Sequence, residues 1–145
     1  MVYETHSPVE TEALATSLAA ALSPGAVIAF SGGLGAGKTA FTRGLAKGLN
    51  AAGEVSSPTF ALVHEYRGEP PLIHFDMYRI SSLDDLYTTG YFDYLDGGNI
   101  LAIEWSEKIA DALPEDAIRI FIETTGETSR RITIEGGPDF EYPLH

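Results

Sequence analysis

Val27-Ile28-Ala29-Phe30-Ser31-Gly32-Gly33-Leu34-Gly35-Ala36-Gly37-Lys38-Thr39-Ala40-Phe41 is the stretch that decides the fold. Its first four residues are wholly apolar and β-rich, the pattern of a short parallel strand buried on both faces. Gly32 to Thr39 fit the spacing G-x-x-x-x-G-K-[ST], and Phe41, Leu45 and Leu49 then recur along one side of an expected helix. Glycine is needed in such a loop because a side chain would keep the backbone from wrapping around phosphate groups. The exposed N–H groups and the positive end of the following helix together form an anion nest. Lys38 brings a full positive charge to the β- and γ-phosphates, and the Thr39 hydroxyl is placed to ligate Mg²⁺. The alternative is a glycine-rich turn that merely joins strand to helix, and the full pattern set between an expected strand and an expected helix weighs against it. The reading is therefore a P-loop that takes ATP and Mg²⁺.

Working toward the N-terminus, Ser7-Pro8-Val9-Glu10 reads as a helix start, with Ser7 as N-cap, Pro8 at the first helical position and Glu10 able to close a capping box. Leu14, Leu18 and Leu22 give this helix an apolar stripe, which Ser23-Pro24-Gly25 ends. Toward the C-terminus, Thr59 to Tyr66 favours strand, Arg67 to Pro71 is a turn, and Leu72 to Tyr78 reads as the antiparallel return. A short helix is expected over Leu83–Thr88. Ile100-Leu101-Ala102-Ile103 forms a second buried strand, and a short helix after it stops near Pro114. Ile118, Ile120 and Ile122 alternate with polar residues, as do Ile132 and Ile134, which predicts a hairpin with Thr125-Gly126 in its connection. The tail from Gly136 to His145 is expected to be loosely ordered.

The chain has 145 residues, 44% of them hydrophobic, which suits one domain over 1–145 with a continuous core. The expected fold class is α/β: a three-layer P-loop NTPase fold whose mostly parallel central sheet carries added antiparallel strands. No stretch approaches the ~20 apolar residues of a membrane span, and the first residues lack the pattern of a secretory signal. A cytoplasmic protein with no membrane partner is the expectation. Without cysteine, metal ligands must be oxygen or imidazole. Nine Lys plus Arg against 21 Asp plus Glu leave a net charge of −12, which repels a phosphate backbone and disfavours direct RNA or DNA binding. The same charge serves solubility or an acidic docking face for a basic partner.

A carboxylate is expected to approach the metal from the end of a strand beside the P-loop strand. Leu72-Ile73-His74-Phe75-Asp76 and Ile100-Leu101-Ala102-Ile103-Glu104 both end in one. The second run has no polar interruption and reads better as a core strand, so Glu104 is the metal-side choice and Asp76 acts near the γ-phosphate. Ser56-Ser57-Pro58-Thr59 lies where nucleotide switches place a sensing hydroxyl, although a plain turn explains it equally well. His64 and His74 read as satisfied structural histidines rather than zinc ligands, and Trp105 as a packing residue.

Four linked segments closely resemble one family. These are Gly32 to Thr39; Ser57-Pro58-Thr59-Phe60 with Glu65-Tyr66; His74-Phe75-Asp76-Met77-Tyr78-Arg79; and Ile103-Glu104-Trp105-Ser106-Glu107. They occur in order, as in the bacterial TsaE (YjeE) family, the ATPase component of tRNA threonylcarbamoyladenosine biosynthesis. The resemblance implies weak, Mg²⁺-dependent ATP hydrolysis within a complex with TsaB and TsaD proteins, with tRNA met only indirectly through that complex. It implies catalytic or switch roles for Lys38, Asp76 and Glu104, and Mg²⁺ held by Thr39 and Glu104. The nucleotide contacts it implies are Thr11, Gly33, Leu34, Gly35, Ala36, Gly37, Lys38, Thr39, Ala40 and Thr59, with Thr11 near adenine and Thr59 as switch hydroxyl. Gly33 stands where the family usually has Asp or Glu, which is expected to alter loop mobility more than binding. Arg130-Arg131 is similar to an arginine before the family's last strand, but reads as solvated hairpin charge.

Three other functions compete. A small-molecule P-loop kinase would need a basic lid, and the six arginines form no such insert. A GTPase would need guanine and switch motifs that this chain lacks. A non-catalytic nucleotide-sensing module differs from a slow ATPase only in turnover.

Overall fold

Ser7 starts the first long helix as its sequence requires. The Ser7 Oγ accepts a hydrogen bond from the Glu10 N–H at 3.1 Å, and the Glu10 carboxylate accepts one from the His6 N–H at 3.2 Å, one residue earlier than a capping box would use. The computed structural model describes residues 1–32, 37–51 and 63–142. In chain order the elements are β1 (Val2–Thr5), α1 (Pro8–Ala20), β2 (Val27–Phe30), α2 (Lys38–Gly48), β3 (Val63–Tyr66), β4 (Leu72–Asp76), α3 (Leu83–Thr88), α4 (Tyr91–Asp96), β5 (Ile100–Glu104), a 3-10 helix (Ser106–Ala112), β6 (Ile118–Thr124) and β7 (Arg130–Glu135). Among the described residues, one seven-stranded sheet has the order β1-β7-β6-β2-β5-β4-β3. Its centre, β6-β2-β5-β4, is parallel, and β3, β7 and β1 add antiparallel strands at the two sides.

Alternation along the strands divides the core between the two faces of this sheet. Ile28, Phe30, Leu72, Ile100 and Ile120 point toward α1 and α2, where they meet Leu14, Leu18, Phe41 and Leu45. Val27, Ile73, Phe75, Leu101 and Ile103 point the other way and pack with Leu86, Tyr91 and Ile109 from α3, α4 and the 3-10 helix. The result is three layers. Each fully buried Leu or Phe contributes roughly 1.5–3 kcal/mol of apolar burial.

The two long helices touch at bare backbone. A Cβ on Gly44 would lie 2.7 Å from Ala15 Cβ, and one on Gly48 would lie 2.6 Å from Ala19 Cβ. Matching offsets along both helices mean that α1 and α2 run parallel, so their N-terminal ends face the same edge of the molecule.

Some expectations change. The sequence gives no sign of β1 or α4, and the helix after β5 is a 3-10 helix. The strand expected from Thr59 to Tyr66 is described only from Val63, and the return strand stops at Asp76. The described part of the tail is not loose: Phe140 and Tyr142 pack their rings on Tyr3 at 5.7 and 5.9 Å, and the Tyr142 hydroxyl donates to Glu10 O.

Candidate functional site

Parallel strands deliver their carboxyl ends to one edge, and β2, β4 and β5 do so here. β2 leads into the glycine loop, β4 ends at Asp76 and β5 ends at Glu104, with Asp76 and Glu104 paired in register. Such an edge is where open α/β sheets bind ligands. Of the loop itself, Gly33, Leu34, Gly35 and Ala36 lie outside the described residues, as does Thr59. Its two flanks are described. Gly32 and Gly37 have φ of +76° and +90°, left-handed values that a side chain would strain.

Lys38 is the first residue of α2 and is only 6% exposed. Its ammonium lies 3.6 Å from where a Cβ on Gly32 would stand, so the lysine folds back over the loop's entrance. Burial lowers the Lys38 pKa below its ordinary range, opposed by the negative charges of Glu104 and Glu107. Thr39 follows on the same first turn, and Ala40 is buried behind it.

Glu104 is 1% exposed, yet neither of its carboxylate oxygens has a hydrogen-bond partner within the described protein. His74 lies beside it, with Nε2 3.7 Å from Glu104 Oε2. His74 is 2% exposed and both of its ring nitrogens are also without hydrogen bonds, so the expectation of a satisfied structural histidine is wrong for this residue. His64 does fit that expectation: its Nδ1 lies 3.2 Å from the Tyr66 hydroxyl. A buried carboxylate without internal donors has an uncompensated demand for a cation or donor. That demand suits Mg²⁺, a hard cation that takes oxygen ligands. Asp76 is more open, and its Oδ1 accepts from the Tyr78 N–H at 3.0 Å.

Several contributors were not legible in the sequence. Glu107 accepts the Gly32 N–H on both carboxylate oxygens, at 3.0 and 3.1 Å, and so ties the start of the loop to the 3-10 helix. The Trp105 N–H donates to Gly32 O at 2.9 Å, and the Ser106 hydroxyl donates to Phe30 O at 2.9 Å. Trp105 makes the turn with φ of +58°. Its ring lies 5.0 Å from that of Tyr78, so it packs as expected.

Arg130 requires a correction. It is half-buried rather than a solvated hairpin charge: its stem lies against Gly37, whose added Cβ would meet Arg130 Cγ at 3.6 Å and Nε at 3.7 Å. Among the described residues the Nε is buried without a hydrogen-bond partner, while one terminal nitrogen donates to Ser129 O at 2.8 Å. Neighbouring strand residues face opposite ways, so Arg131 takes the outward role, beside Glu4 and Glu123.

Thr11 is buried in α1, with its hydroxyl 2.7 Å from that of Thr5. The parallel packing of α1 and α2 brings it to the same edge as Lys38. The tip of the β6–β7 hairpin closes that side, where the Thr128 hydroxyl donates to His6 O at 2.9 Å.

These features define a mixed α/β protein with a buried lysine, a buried unpartnered carboxylate and a half-buried arginine gathered at the carboxyl edge of its sheet. The chain belongs to the TsaE family: the family described as "Threonylcarbamoyl adenosine biosynthesis protein TsaE" matches residues 5–132. The tRNA threonylcarbamoyladenosine biosynthesis protein TsaE of Bacillus subtilis is 40% identical over 132 residues, which cover 90% of this chain and 82% of that protein. The protein of the same name from Treponema pallidum is 37% identical, over 90% and 96% of the two chains. The crystal structure of YdiB from Bacillus subtilis superposes with a TM-score of 0.73 at 36% identity, covering 92% of this chain and 83% of that one.

Proposed function

We propose that this member of a tRNA threonylcarbamoyladenosine biosynthesis family is a slow, Mg²⁺-dependent ATPase with a P-loop that acts through a complex with TsaB and TsaD type proteins. The observation that carries the reading is the desolvated Lys38 ammonium, lying at the entrance of a G-x-x-x-x-G-K-T loop within the electrostatic reach of Glu104. A buried cation with only partial compensation favours an incoming polyanion, and the triphosphate tail is that anion.

In this reading the backbone of Gly33 to Ala40 cradles the phosphates, and Lys38 neutralises charge on the β- and γ-groups. Thr39 and Glu104 are the residues that would hold Mg²⁺. Held there, the ion would supply positive charge that offsets the negative charge of the triphosphate. Asp76, one strand further, orients the attacking water, Thr59 senses the γ-phosphate and Thr11 lies toward adenine. Arg130 adds a second cation beside Gly37 on the phosphate side. Its acidic surface keeps the chain from gripping tRNA by itself, so contact with RNA passes through the partner subunits. With no basic lid in the sequence, the kinase alternative has less support than the ATPase.

Titration calorimetry with Mg·ATP tests the nucleotide site: Lys38→Ala is expected to lower affinity at least 100-fold while the circular dichroism spectrum is kept. Unchanged affinity would reject it. For the pathway role, tRNA threonylcarbamoylation is reconstituted with TsaB and TsaD, with and without this chain. Multiple-turnover product that does not depend on the chain would reject that part.

A further inference from the structure

On the face of the sheet away from α1 and α2, a cleft of about 310 Å³ opens between α3 and the 3-10 helix. Ile80, Leu86 and Ile109 line it, and Leu83, Glu107 and Asp111 stand on its walls. Its surroundings expose large apolar side chains: Leu83 is 59% exposed, Tyr87 61% and Tyr78 55%. Leu83 and Tyr87 lie four residues apart on α3, hence on one face of it. An exposed apolar group of this size beside a cleft marks a surface that another molecule covers.

The charge around it restricts what that molecule is. From Asp76 to Asp116 the chain has ten acidic residues, and Arg79 and Lys108 are its only basic ones. Glu107 and Asp111 are exposed on the cleft wall with one cation, Lys108, between them in sequence, and Asp84 is exposed on α3 next to Leu83. Such a rim repels RNA, and it repels a second copy of a chain whose net charge is −12. It attracts a protein surface rich in Lys and Arg, and the cleft has room for one apolar anchor side chain from it.

We propose that this cleft docks a basic protein surface carrying an apolar anchor, and that Glu107 transmits its occupancy to the nucleotide loop. This rests on the reading that the chain works with partner subunits. Glu107 is the physical link, because it forms part of the cleft wall while its carboxylate holds the Gly32 N–H. An occupant that draws Glu107 toward its own cations frees that N–H and loosens the start of the loop.

The test measures binding of the TsaB–TsaD pair by calorimetry and its effect on ATP turnover. Two double variants, Leu83→Ser with Tyr87→Ser and Asp84→Lys with Asp111→Lys, are compared with the parent and with Val2→Ser on the distant edge strand. Each double variant is expected to bind the pair at least tenfold more weakly, the charge variant losing most at low salt, with Mg·ATP affinity within twofold of the parent. Glu107→Gln is expected to bind the pair but lose its stimulation of turnover. Parent-like affinity in both double variants overturns the docking site, and full stimulation in Glu107→Gln overturns the link. A parent chain that does not bind the pair overturns the partner reading and this inference with it. Self-association of the parent that the Leu83→Ser, Tyr87→Ser variant abolishes would make the occupant a second copy and overturn the basic-partner assignment.

Discussion

His74 Nε2 and Glu104 Oε2 face each other at 3.7 Å across adjacent strands, and all four polar atoms of the two side chains lack hydrogen bonds within the described protein. A buried polar pair kept in this condition costs stability, which is consistent with retention for ligand chemistry. His74→Ala is expected to lose about 2–4 kcal/mol in urea unfolding, from the cavity and from stranding Glu104. The double change His74→Leu with Glu104→Leu should recover most of that stability while Mg²⁺-dependent nucleotide binding is lost. A double variant as unstable as His74→Ala would show that the pair serves the fold.

Glu104 and Asp76 end neighbouring strands in register but differ in exposure, and the proposed Mg²⁺ site gives them different roles. Glu104→Ala is expected to raise the Mg²⁺ concentration needed for half-maximal ATP turnover by roughly tenfold or more, equivalent to about 1.4 kcal/mol. Asp76→Ala should lower the turnover rate with a smaller change in Mg²⁺ demand. The opposite order in a magnesium titration would exchange the two roles.

Arg130 lies against Gly37 with its Nε buried and without a hydrogen-bond partner among the described residues. Arg130→Ala is expected to weaken Mg·ATP binding about tenfold, with Arg130→Lys intermediate because a point charge replaces a fork of donors. Arg131→Ala serves as the control and should leave affinity unchanged.

Tyr91 is fully buried, donates its hydroxyl hydrogen to Ala112 O at 2.9 Å, and has its pKa pushed up to about 12 by burial. The folded state therefore keeps a proton between about pH 10 and 12 that the unfolded chain releases, so stability falls as pH rises through that window. Tyr91→Phe should cost about 1 kcal/mol at neutral pH and flatten the alkaline decline. Unfolding curves collected across pH 8–12 compare the two chains.

Gly44 faces Glu12 and Ala15 without room for a methyl group. Gly44→Ala is expected to destabilise by about 1–3 kcal/mol despite its better helix propensity, because α1 and α2 must separate. A higher melting temperature for the variant would contradict the close packing.

Legibility followed the range of each interaction. α1, β2, α2, β5 and the terminal hairpin were readable because their caps, apolar periods and turns are local. β1 was not, since only Thr5 of its four residues is buried and the strand exists by pairing with β7, far along the chain. α4 has six residues, too few to show a period. The placement of Lys38, Glu104 and Asp76 at one edge of the sheet follows from strand ends and loop spacing. The bond from Gly32 to Glu107 joins residues 75 apart and leaves no local signature. The Arg130-Arg131 pair reads as surface charge in the sequence because the two stand side by side, whereas alternation along β7 turns only Arg131 outward.

The chain has a single tryptophan, and its main-chain N–H is bonded to the carbonyl of Gly32. Indole emission therefore comes from one place, at the threshold of the glycine loop proposed to hold the nucleotide. Nucleotide arrival and departure should be followed in real time as a shift in intrinsic fluorescence, without attaching any dye.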